Sequence, residues 1–136
     1  MLTFKKFSEA NLQRCNESFR PIQEWSPNDW ATAMAGECGE ACNVAKKMRR
    51  LFEKPEVAQY YRMIKPLKYS HKEEISQYEY LRGELARELA DVITYVDLFA
   101  TRMGINLEDA LISKFNEVSD RVYSTIKLTR ESDGNH

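Results

Sequence analysis

Four stretches of the chain repeat apolar residues every three or four positions, the period of an α-helix, and none reads convincingly as a strand. Residues 4–19 place Phe4, Phe7, Asn11, Cys15 and Phe19 on one face, and Pro21 ends that helix. Ser26-Pro27 then supplies an N-cap followed by proline at the first helical position. The second helix is predicted over about 27–52, with an apolar stripe through Trp30, Ala33, Met34, Cys38, Ala41, Val44, Ala45, Met48, Leu51 and Phe52. A third begins near residue 73, with a stripe from Leu81 through Leu85, Leu89, Val92, Ile93, Val96, Phe99 and Ala100 to Met103, and Gly104 stands where a helix stops. Asn106 caps a fourth, with Asp109 three residues on, and its stripe runs through Leu107, Ala110, Leu111, Phe115, Val118 and Val122. Only 5 Gly and 4 Pro in 136 residues argue against a turn-rich β fold. The expected fold is all-α: a bundle of four to five helices forming one domain over 1–127, with a basic insertion at about 50–80 and a flexible tail over 128–136.

Composition removes several functional classes. Hydrophobic residues at 43% and charged residues at 30% exclude wholesale disorder. No apolar run approaches the roughly 20 residues that span a bilayer, and MLTFKKFSEANLQ lacks the apolar core of a secretory signal. A net charge of -1 argues against a globally basic nucleic-acid binder. Three cysteines without framework spacing predict a reduced, cytoplasmic protein. With 2 histidines, one of them the last residue, a Ser-His-Asp triad or a multi-His metal site has no material to be built from. Chemistry has to run on carboxylates, bases, amides or thiols.

Carboxylates stand where a core is expected. Glu37 falls near the middle of the second helix's apolar stripe, and Glu40 at its edge. Glu88 and Asp91 repeat the i, i+3 spacing beside the third stripe, Asp91 further from its centre. A lone carboxylate in a core is costly to ionise, and two at this spacing repel unless a cation lies between them. If the two helices pack antiparallel, all four acids can face one another, an oxygen-rich set suited to Mg²⁺ or Mn²⁺. The bland alternative is a set of solvated acids on charged helices. Gly36 and Gly39 flank the site and each costs about 1 kcal/mol relative to Ala, which predicts close approach of another helix or a ligand.

Glu37-x-x-Glu40 followed by Glu88-x-x-Asp91 resembles the metal-binding signature of the MazG-like, all-α NTP pyrophosphohydrolase superfamily. AMAGECGEACNVAKKM is similar to that family's second helix, and ELARELADVITYVDLFATRMGINLEDALISKFNEVSDR, with Lys114-Phe115-Asn116 and Arg121, to its third and fourth. The resemblance covers about residues 27–50 and 82–121. It implies hydrolysis of a nucleoside triphosphate between the α and β phosphates, with two or more Mg²⁺ or Mn²⁺ held by Glu37, Glu40, Glu88 and Asp91. It also implies a homodimer or homotetramer whose helices pack across subunits. The gap from Glu40 to Glu88 is longer than in compact members, because the basic segment lies between them.

The remaining candidates are weaker signals. Lys114 and Arg121 lie seven apart on one face of the fourth helix and can clasp phosphates, or form a solvated basic edge. Lys46 and Lys47, beyond Glu40, are further phosphate candidates. Gln13 and Asn16 carry amides that can pair with a base edge, LQRCN being similar to an amide pair of the dUTP-hydrolysing branch, and Trp25 can stack on a base. Cys38 and Cys42 read as buried free thiols. Residues 46–72 hold nine Lys/Arg and two Glu, a charge of +7, interleaved with Tyr60, Tyr61 and Tyr69. That segment can draw in a polyanionic nucleotide or loop out solvated. A rival reading makes the protein a helical module that binds nucleic acid or a protein through it.

Overall fold

The computed structural model describes residues 1–55, 58 and 72–130, with the backbone alone for 72–75. Most of the basic segment 46–72, including its three tyrosines, lies outside the described residues. Among those described, the protein is all-helical, with no strand: α1 (Phe4–Arg14), α2 (Pro27–Phe52), α3 (Lys72–Arg102) and α4 (Leu107–Arg121), as the stripes predict. No described helix is long and apolar enough to cross a membrane. The chain divides into two compact units, Asn28–Val96 and Met1–Pro27 with Asp97–His136, so α3 contributes residues to both.

In the first unit α2 and α3 run antiparallel. Val44, Met48 and Leu51 of α2 form a buried cluster with Tyr78 of α3, and Leu81 and Leu85 pack against it. Phe52 meets Tyr78 edge-on at 5.3 Å. Toward the other end of α2, the fully buried Trp30 packs against Tyr95, ring centres 6.2 Å apart. Later residues of α2 thus face earlier residues of α3, which puts Glu37 at the level of Glu88 and Asp91. The stripes are not buried throughout: Leu89 and Ile93 of α3 remain 51% and 52% exposed. Cys38 and Cys42 are exposed, correcting the expectation of buried thiols. They sit about 60–120° around the helix from the buried Trp30, Ala41 and Met48.

In the second unit Thr3 caps α1 by accepting from the Lys6 amide. The helix expected to reach residue 19 changes register after Arg14 and finishes as a π-helical turn over Cys15–Phe19. Asn11 and Cys15 are buried as predicted, but Phe19 is 52% exposed. Asn11 donates through Nδ2 to Oδ2 of Asp97 at 2.9 Å, and Asp97 is itself 1% exposed. A buried carboxylate keeps its place in a fold only with such a partner. Gly104 has a φ of 67°, and the amides of Gly104 and Ile105 donate to the carbonyls of Thr101 and Ala100, closing α3 with a Schellman turn. The Asn106 side chain accepts from the Asp109 amide at 3.1 Å, the predicted cap of α4.

Two features depart from the expected fourth helix and tail. α4 rests on the chain through the buried Ser119, while Leu111, Phe115, Val118 and Val122 are 40–63% exposed. Residues beyond 121 turn back along α4: Asn116 donates to the Leu128 carbonyl and accepts from the Leu128 amide, at 2.9 and 2.8 Å. Lys127 reaches Asp120, and Arg130 reaches Asp109. The segment predicted to be free from 128 onward is therefore held as far as 130; residues 131–136 lie outside the described residues.

Candidate metal centre

One carboxylate oxygen from each of Glu37, Glu88 and Asp91 lies within 4.8 Å of the others. Helical spacing explains the convergence. Glu88 and Asp91 are one turn apart on α3, and Glu37 projects from the α2 face that meets α3. Glu37 and Glu88 are half-buried and Asp91 is exposed, so the cluster opens to solvent on the Asp91 side. Glu40 is exposed and stands outside the trio.

The electrostatics single out Glu37. Burial pushes its carboxyl above the ordinary range, and the charges of Asp91, Glu88 and Glu40, in that order, push it further. Glu40 is thus near enough to be felt even though it does not join the trio. A cation of charge two removes this repulsion. The donor set is all oxygen, as Mg²⁺ and Mn²⁺ require. An octahedral Mg²⁺ with oxygens at about 2.1 Å holds them about 3–4 Å apart, so small side-chain rotations would bring the trio onto one ion.

The expected close neighbour of the two glycines is not found among the described residues: a Cβ added at Gly36 or at Gly39 meets nothing of them within 4 Å. Gly39→Ala should therefore stabilise the isolated chain by up to about 1 kcal/mol, read as a higher urea midpoint. If activity falls while stability rises, the space beside Glu40 is used by a ligand; if both stay unchanged, Gly39 has no role there.

Lys47 is exposed on α2. The other predicted contacts belong to the second unit. Lys114 and Arg121 do share a face of α4, since both bind the same oxygen of Glu117, each at 2.7 Å. The hydrogen bond from Lys114, then its charge, hold the Glu117 carboxyl below its usual range, with Arg121 adding to this. Gln13 donates to Glu17 at 2.9 Å, one turn on. Asn16 accepts from the Ile22 amide at 2.8 Å and so ties down the loop after the π turn. Trp25 carries the Arg20 guanidinium over its ring at 4.2 Å, meets Phe19 edge-on at 5.6 Å, and offers its carbonyl to Arg102. The sequence reading missed Asp97 and its pairing with Asn11. An acid within the apolar Val96–Phe99 run of α3 was the available signal. No family model, curated protein or solved structure matches the chain.

Proposed function

We propose that the protein is a divalent-cation-dependent nucleoside triphosphate pyrophosphohydrolase of the MazG-like all-α type, acting in the cytoplasm as a homo-oligomer. The observation that carries this reading is the trio Glu37, Glu88 and Asp91, brought together by two antiparallel helices with Glu37 on the packed face. Half-buried Glu37 carries the repulsion of Asp91, Glu88 and Glu40, which a cation at that position would relieve. Mg²⁺ or Mn²⁺, two or more per site, would be held by Glu37, Glu88 and Asp91 with Glu40 beside them, and would supply the positive charge that a triphosphate needs for attack.

The protein's own groups have distinct tasks. The nucleoside triphosphate and water become the monophosphate and pyrophosphate, so one proton must leave the attacking water. A carboxylate of the cluster accepts it. Lys114 and Arg121 would exchange Glu117 for phosphate oxygens, a stronger, more highly charged partner. Lys47 adds positive charge on α2. Base selection falls to Gln13, Asn16 and Trp25, of which Asn16 keeps its amide nitrogen available for a base edge among the described residues.

The deciding experiment incubates the pure protein with a panel of NTPs and dNTPs plus Mg²⁺ or Mn²⁺ and measures pyrophosphate. Release with at least one nucleotide, abolished by chelator, is the expected result. No release with any nucleotide, together with tight binding of single-stranded oligonucleotide, would establish the binding-module reading instead. Within the hydrolase reading, Arg121→Ala should lower kcat/KM about 10- to 150-fold, the equivalent of a charge-assisted hydrogen bond worth about 1.5–3 kcal/mol. A change below about threefold would return Arg121 to a surface pair with Glu117.

A further inference from the structure

We propose that the second unit carries a small-molecule site of its own: a cavity at the first turns of α1 and α4 that takes a phosphate monoester whose organic part presents hydroxyl or amino donors. The site goes beyond the catalytic reading above and does not depend on it, because Glu37, Glu88 and Asp91 belong to the first unit and do not line this cavity.

The starting point is a buried acid with a spare oxygen. Asp97 is 1% exposed, yet it lines a cavity of about 650 Å³, a size typical of small-molecule pockets. Asn11, held in turn by Arg14 at 3.2 Å, donates to Oδ2 of Asp97. Oδ1 has no partner among the described residues. A buried carboxylate oxygen without a donor is costly, and a hydroxyl or amine of a molecule in the cavity satisfies it.

The rest of the lining supplies the opposite pole. Phe4 and Lys5 are the first two residues of α1, Leu107 and Glu108 the first two of α4, and all four border the cavity. The caps leave their amides unused. Thr3 accepts from the Lys6 and Phe7 amides, and Asn106 from those of Asp109 and Ala110. Two helix N-termini thus bring to one space four N–H groups without a partner among the described residues, together with the positive ends of two dipoles. Lys5 and Arg130 also line it, Arg130 in a pair with Asp109.

The charges select the ligand class. Among the lining side chains the cations Lys5 and Arg130 face the carboxylates Glu9, Asp97 and Glu108. With about +0.5 from each N-terminus the site as a whole is near neutral, so it is not built for a bare anion. A molecule with an anionic end and a donor-bearing end matches both poles. Phosphate suits the anionic end better than a carboxylate, because its three terminal oxygens and charge of about -2 use more of the amides and cations. A sugar phosphate and a nucleoside monophosphate share this chemistry.

The test is calorimetric titration of the full chain in chelator, which keeps the acidic trio free of metal. Ribose phosphate or a nucleoside monophosphate should bind at least about tenfold more tightly than inorganic phosphate and than ribose or the nucleosides, the weight of one charge-assisted contact. The tighter of the two monoesters says whether a base is read. Lys5→Glu, a change at an exposed position, and Asp97→Asn should each weaken that binding by about tenfold or more, while Glu37→Gln leaves it unchanged. In amide NMR spectra Phe4, Lys5, Leu107 and Glu108 should shift on addition of the monoester. If Asp97→Asn fails to fold, Lys5→Glu and the amide shifts decide the matter. Absence of binding by any monoester, equal binding of inorganic phosphate, or binding insensitive to Lys5→Glu overturns the proposal. Binding lost in Glu37→Gln places the monoester at the acidic trio and overturns it as well. None of these outcomes involves pyrophosphate release, so the catalytic reading stands or falls by its own assay.

Discussion

Glu37→Gln is expected to abolish pyrophosphate release and to erase the rise in melting temperature that Mg²⁺ or Mn²⁺ gives the parent. A cation that binds only the native state stabilises it by about 2.7 kcal/mol at a hundredfold excess over its dissociation constant. Glutamine is nearly the same size but supplies neither the charge nor the second lone-pair-rich oxygen. In chelator the same substitution should act in the opposite direction. Glu37 binds its proton more tightly in the native state than in the unfolded chain, because of burial and the charges of Asp91, Glu88 and Glu40. Its stabilising contribution is therefore complete below the ordinary carboxylate range and is lost as pH rises through its own raised value. Cation-free parent protein should melt at progressively lower temperature across that window, and the glutamine variant should not. Melting curves at several pH values, with and without Mg²⁺, check both statements; a fully active Glu37→Gln enzyme would sink the metal-centre assignment.

Trp30→Ala should cost about 3–5 kcal/mol, the range for emptying a large aromatic site in a core. Trp30 is 0% exposed and packs on Tyr95, where it helps set the register of α2 against α3. Against a total stability of about 5–15 kcal/mol, that loss removes between a fifth and all of it. Urea unfolding should show a lower midpoint at an unchanged slope. A loss under about 1 kcal/mol would mean that the indole is not part of a packed core.

The parts legible in the sequence are those set by local chemistry or helical period. Gly104 and Asn106 mark the end of α3 and the start of α4 because a left-handed turn and a side-chain cap need only their immediate neighbours. The convergence of Glu37 with Glu88 and Asp91 follows from stripe position, which is readable, once the two helices pack antiparallel, which the sequence leaves as a condition; Glu40, expected with them, stands apart. The exposure of Cys38 and Cys42 is not, because hydropathy assigns a residue to a stripe without saying how wide a sector the neighbouring helix covers. The same limit hides the exposure of Leu111, Phe115 and Val118, since periodicity identifies an apolar face but not whether the rest of the chain covers it. The Asn11–Asp97 pair joins residues 86 apart in the chain, and neither residue type carries a local sign of its partner. The π turn at Cys15–Phe19 continues a helical pattern whose change in register leaves no mark on hydropathy.

The hold of Asn116 on Leu128 has an evolutionary and practical corollary. The carboxamide grips main-chain N–H and C=O, so it reads the peptide unit and not the side chain. Position 128 should accept any residue except proline, which has no N–H to give. In hydrogen exchange the Leu128 amide should be protected although it lies beyond the last helix, and Asn116→Ala should release it, because the side-chain oxygen that accepts from that amide is then gone. Sequence drift would then be wide at 128 itself and narrow at 116, on the helix that does the gripping.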